Sequence, residues 1–178
     1  MRYYPYGHFD VPGPIGKSGE RWQSEFWSEV EAYQPGLSTA NGVYIFSIRH
    51  GAKSTPWYVG KTCSAKGFKG EVFQQHKLKI YRESVKMRRG FPQIHLIAKV
   101  ERTRENFCKY SDRSSGEISR LETYLIGMGL TKNPDLQNDK MTAFHRSLEI
   151  VGVIGLKNKG ARTSDARTLR RVLGLTAA

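Results

Sequence analysis

The sequence predicts an α+β fold: a small, mainly antiparallel, three-stranded sheet flanked by helices. Three observations point to it. Runs rich in β-forming residues, the first of them alternating in hydrophobicity, recur at Gly42–Arg49, Trp57–Gly60 and "QIHLIAKVER". Stretches with apolar residues at helical spacing lie before, between and after them. The first two runs are joined by the polar "HGAKSTP", which makes hairpin pairing the economical arrangement. A chain of 178 residues fits one domain with extensions and can bury a substantial core.

The opening residues read as turns, with Pro5, Pro12 and Pro14 among glycines. Arg21 to Tyr33 reads as a helix, its stripe formed by Trp22, Phe26, Trp27, Val30 and Tyr33. "QPGLSTANG" breaks it. After the two tyrosine-bearing strands, Phe68 to Arg89 reads as one helix, with Val72, Phe73, His76 and Ile80 along one side and Gly90 as the stop. The third strand follows. Ser114 or Ser115 can cap a helix to about Met128 that turns Ile118, Leu121, Leu125 and Ile126 inward. A Pro-containing turn leaves that helix. A short helix near 141–148, a strand-like "LEIVGVIGL" and a terminal helix near 164–173 complete the pass. The division is an N-terminal extension with one helix (1–41), a core (42–140) and a basic C-terminal extension packed on it (141–178).

Charge is the strongest global signal. The net charge is +13, and it is uneven: residues 49–104 carry 14 basic and 3 acidic side chains, whereas residues 1–41 carry 3 and 5. Such a field attracts polyanions and makes their binding salt dependent. No run nears the roughly 20 apolar residues that span a bilayer. No basic amphipathic helix with a large aromatic face suggests lipid, so nucleic acid is the expected partner. The first residues lack the apolar stretch of a signal peptide, which predicts a cytoplasmic protein. Cys63 and Cys108 are too few for a disulfide framework or zinc cluster and read as free thiols. "YVGKT" lacks the upstream glycine of a phosphate-binding P-loop.

The order is tyrosine strand, tyrosine strand, helix with a histidine, strand, helix with a glutamate, then an asparagine-bearing turn. In this the chain resembles the GIY-YIG nuclease superfamily. "GVY" (Gly42–Tyr44) and "YVG" (Tyr58–Gly60) stand for its two signatures, and "ISRLETYLIGMGLTKNPDLQN" for its later segment. The resemblance covers about residues 42 to 138. It implies a metal-dependent endonuclease that hydrolyses phosphodiesters with one metal ion, Mg²⁺ or Mn²⁺, with DNA favoured over RNA. The oligomeric state stays open.

Phosphodiester hydrolysis needs an activated water, a Lewis acid and positive charge for the developing negative charge. The resemblance implies that Tyr44 orients or deprotonates the water and that Tyr58 is a second phenol at the water or a phosphate oxygen. The plain alternative is two strand tyrosines with rings in the core. Gly60 is expected to let the chain and the substrate come close, with an ordinary strand-ending turn as the plain alternative. Glu122 is the candidate metal ligand, since Mg²⁺ often takes only one or two carboxylates; Glu117 is its rival in the cap region of the helix. Asn138 matches the family's asparagine, with Asn133 as rival. His76 is a phosphate donor or proton carrier. The family usually places an arginine one turn before it; here that position is Val72. Lys69, seven residues before His76, is the first candidate to replace it, then Lys61. Lys77, beside His76, is a further candidate for substrate binding. Glu71 reads as a solvated helical acid, with a ligand role as the alternative. The alternative to an enzyme is a nucleic-acid-binding module on the same scaffold with cleavage lost.

Overall fold

A computed structural model describes residues 2–12, 15, 21–101, 106–108, 110, 112–140, 142–147, 150–153, 163–173 and 175. In chain order the elements are β1 (Tyr3–Asp10), α1 (Arg21–Tyr33), β2 (Gly42–His50), β3 (Lys53–Thr62), α2 (Gln75–Met87), β4 (Phe91–Lys99), α3 (Asp112–Lys132), α4 (Ala143–Ser147) and α5 (Ser164–Val172). The fold is α+β with an antiparallel sheet, as expected, but the sheet has four strands, in the order β1-β4-β2-β3. The extra strand is β1, in the segment expected to be turns. Pro5 is tolerated because β1 is an edge strand, where a missing N–H costs no ladder bond on its outer side. The pairing register shifts between Tyr6 and Phe9, around Gly7 with φ +86°. That bulge disguises the alternation.

β2 and β3 form the expected hairpin. Tyr44 faces Gly60 and Phe46 faces Tyr58, so the two signature tyrosines sit diagonally rather than opposite. Strand alternation sends side chains to two faces. Tyr44, Phe46 and Ile48 of β2 and Ile94, Leu96 and Ala98 of β4 pack with Phe26, Trp27 and Val30 of α1 and Leu78 and Tyr81 of α2. On the other face Val43 and Val59 meet Ile118, Ile126 and Leu130 of α3, with Leu136 beyond it. The sheet thus lies between α1 and α2 on one side and α3 on the other.

α1 follows its predicted bounds, although Tyr33 at the end of its stripe is mostly exposed and touches Phe9 edge to face at 5.4 Å. The helix expected over 68–89 is shorter. Phe68–Gly70 is a 3₁₀ turn, and the α-helix begins only at Gln75. Gly67 and Gly70 weaken helix there, and Phe68, Val72 and Phe73 are buried all the same. Of the strand-like 148–156, Ile150 makes an isolated β-bridge and residues 151–153 are a turn, with Val153 N donating to Ile150 O (2.8 Å); the rest lies outside the described residues. α5 is capped by Thr163, whose hydroxyl accepts from Ala166 N at 3.1 Å. Lys157, Lys159 and Arg162 of the basic tail lie outside the described residues. Among the described residues, no helix is long and apolar enough to cross a membrane.

Candidate active site

β3 is an edge strand, so its outward N–H and C=O groups need partners. The segment after α3 supplies them. Gln137 N donates to Trp57 O at 2.8 Å, and Asn133 Nδ2 donates to Pro56 O at 2.9 Å. Asn138 clamps one residue from both sides: Val59 N donates to its Oδ1 (2.9 Å), and its Nδ2 donates to Val59 O (2.7 Å). Both amide functions of this buried side chain are thereby used on the strand between Tyr58 and Gly60. Asn133 makes its single contact to β3 three residues earlier, and its Oδ1 accepts from Asp135 N at 3.1 Å.

Docking that segment against β3, with α2 on one face and α3 on the other, leaves a cleft of about 520 Å³. Six residues singled out from the sequence line it: Tyr58, Lys61, His76, Lys77, Glu122 and Asn138. They come from β3, α2, α3 and the turn beyond it. Lys61 Nζ pairs with Glu122 Oε2 at 2.9 Å and donates to Ser119 Oγ at 3.0 Å. Lys77 donates to the Tyr58 hydroxyl, lies 4.7 Å from the centre of its ring, and faces Glu71 at 3.9 Å. His76 is exposed. Glu71, Asp139 and Lys140 also line the cleft. Glu71 is thus no mere solvated acid. Asp139 and Lys140 escaped notice in the sequence because only their adjacency to Asn138 marks them.

Burial acts on the titration of Tyr58 and Lys77. It pushes the Tyr58 phenol well above its ordinary range, and the nearby Glu122, Glu71 and Asp139 carboxylates add to the effect. Burial lowers the Lys77 ammonium, while Glu71 and Glu122 oppose the shift. At neutral pH Tyr58 therefore carries its proton and can donate a hydrogen bond. It is not poised as a base.

Three expected residues are placed elsewhere. Tyr44 is fully buried and does not line the cleft. Its ring lies 6.3 Å from that of Tyr58, on the same face of the sheet. Its hydroxyl lies near Tyr81 but makes no hydrogen bond of good geometry, and burial holds it well above the ordinary tyrosine range. The water-orienting position expected of it is not where the chain puts it. Gly60 leaves room for the Tyr44 ring rather than for substrate. Lys69 is exposed on the 3₁₀ turn and adds positive field at Glu31, away from the cleft. The seven-residue helical spacing to His76 fails because no continuous helix joins them. The rival Glu117 pairs with Lys99 instead of facing the cleft.

Among the described residues there is no group of three or more His, Cys, Asp or Glu side chains suited to a metal ion. A hard cation with most of its water shell needs less. Glu122, with only 16% of its side chain exposed, already holds one cationic group at 2.9 Å, so its carboxylate fits the single protein ligand of a hydrated Mg²⁺. No family model matches the chain, and neither a curated protein nor a solved structure shows significant similarity to it.

Proposed function

We propose that this protein is a metal-dependent endonuclease of the GIY-YIG kind that hydrolyses phosphodiester bonds of DNA in the cytoplasm, at the cleft beside β3. One observation carries the reading. Six residues chosen from the sequence for this chemistry, far apart in the chain, line a single cleft in a protein of net charge +13.

Glu122 would hold Mg²⁺, which when bound supplies a Lewis acid and a more acidic water. Lys61 and Lys77 bring ammonium groups to the phosphate's non-bridging oxygens, taking the place of the arginine the resemblance leads one to expect. Tyr58 keeps its proton and donates from its hydroxyl to the attacking water or a phosphate oxygen. His76, exposed beside the cleft, takes the proton that the attacking water loses, and the leaving oxygen draws its proton from solvent. Asn138 holds the β3 edge that positions Tyr58. Tyr44 packs diagonally beside Tyr58 and touches no substrate.

The test is nicking of supercoiled plasmid with Mg²⁺ or Mn²⁺ by the wild type, Glu122→Gln and Tyr58→Phe. Loss of one well-placed polar group in such a site costs on the order of 100-fold in rate. Equal behaviour of all three proteins would remove the catalytic assignment. The second reading, a nucleic-acid-binding module without cleavage, draws on the way the site closes on itself: Lys61 is held by Glu122, and Lys77 contacts Tyr58. It is the outcome if the wild type binds plasmid and leaves it intact at every divalent-ion concentration.

A further inference from the structure

The cleft accounts for one flank of α2; the opposite flank carries a separate feature. Lys79, Arg82 and Lys86 are all exposed, at spacings of three and four residues. They fall within about 60° of each other around the helix, about 4.5 and 6 Å apart along its axis. Among the described residues, none of the three is paired with a carboxylate. Arg82 donates from Nε to Leu78 O at 3.1 Å, and that bond does not use its two terminal nitrogens. Exposed Arg88 and Arg89 continue the charge past the end of the helix. Met87 is the one large apolar side chain exposed on α2, so this face lacks the apolar half by which a helix enters a lipid interface.

We propose that the Lys79–Arg82–Lys86 ridge is a docking surface for a nucleic-acid backbone. This rests on the nucleic-acid part of the reading above and adds where the polymer lies. The ridge spans about 10.5 Å, close to three steps of a strand that carries one phosphate per about 3.4 Å of axis. α2 therefore offers phosphate ligands on two flanks: His76 and Lys77 into the cleft, and the ridge for neighbouring phosphates. Contacts of this kind orient a polymer without reading its bases, so the ridge serves any sequence equally.

The experiment is fluorescence anisotropy of a short labelled DNA duplex without divalent ions, between about 50 and 200 mM salt. Three proteins are compared: wild type, the ridge variant K79Q/R82Q/K86Q, and a control of equal charge, K53Q/R120Q/K132Q, altered at exposed positions elsewhere. All six positions are exposed, and far-UV circular dichroism confirms the fold of each variant. Each lost phosphate contact flattens the plot of log affinity against log salt by about 0.9, so the ridge variant should lose close to 2.7 in slope and the control little. Equal slopes in the two variants, or a wild type that prefers anionic vesicles to duplex, would overturn the proposal. Lost plasmid nicking with an intact ridge effect sinks the nuclease reading alone; intact nicking with no ridge effect sinks the ridge alone.

Discussion

A Cβ added to Gly60 would fall on the hydroxyl end of the Tyr44 ring, so these facing residues of β2 and β3 form one packing unit. The glycine of "YVG" is thereby explained by a neighbour within the fold. Gly60→Ala should destabilise by roughly 1–3 kcal/mol through overpacking. Tyr44→Phe alone should cost almost nothing, because it removes a buried hydroxyl without a good partner. In combination, Tyr44→Phe should relieve part of the Gly60→Ala penalty, with a coupling on the order of 0.5 kcal/mol or more. Urea denaturation of the four proteins measures it. Strictly additive effects would mean that the two residues do not share this space.

Asn138 makes a second prediction, about the edge of the sheet. Asn138→Ala leaves both Val59 N and Val59 O without their partner, and each buried orphan costs roughly 1–3 kcal/mol. A loss of about 2–4 kcal/mol is expected. Asn138→Asp keeps the acceptor for Val59 N but sets a carboxylate oxygen against Val59 O, so it should not rescue. Hydrogen exchange at the Val59 amide reports the break directly. An unchanged protection factor in Asn138→Ala would show that the clamp is not made.

How far the fold could be read beforehand depends on how local each signal is. The β2–β3 hairpin, α1 and the body of α3 were legible because the apolar period is clear within each segment, but α3 runs from Asp112 to Lys132, past both the expected serine cap and the expected end near Met128. β1 was not, because Pro5 and Gly7 argue against a strand unless the segment lies at an edge, and edge position is a property of the finished sheet. The break before α2 was hidden for the opposite reason: Phe68, Val72 and Phe73 keep a helical spacing, while the 3₁₀ turn Phe68–Gly70 and the turn after it bury them. Within the cleft, residue types pointed to Tyr58, His76 and Glu122. That Tyr44 stays out of the cleft follows from the diagonal register with Tyr58 and from the space over Gly60. Neither is visible in a tripeptide.

Lys77 links stability to the proposed chemistry. Burial lowers its pKa below the ordinary 10.5, so the folded state resists its charge. Between the folded and unfolded values, the unfolded chain binds more protons, and stability attributable to this group rises with pH. Lys77→Met removes the effect. The variant's stability relative to wild type should therefore fall as pH climbs from neutrality toward 10, while its binding of DNA is weaker throughout. Chemical denaturation at a series of pH values checks the sign. A gap that widens in the variant's favour over this range would contradict a desolvated ammonium at this position.

Glu31 provides the acid-side counterpart, remote from the cleft. Its carboxylate accepts from Gly36 N at 2.7 Å and Ser38 N at 2.8 Å, closing the turn that links α1 to β2. Partial burial works to raise its pKa, but the hydrogen bonds from Ser38 and Gly36, with the field of Lys69, hold it below 4.5. A depressed folded value means that the stabilisation is fully present above the unfolded value and is lost as pH falls through the folded one. Glu31→Gln offers an N–H₂ where one backbone donor needs an acceptor, so it should cost about 1–2 kcal/mol at neutral pH. Below pH 4.5 the wild type should lose stability more steeply than the variant, and the two curves should converge. Parallel curves across the acid limb would show that this carboxylate does not carry the turn.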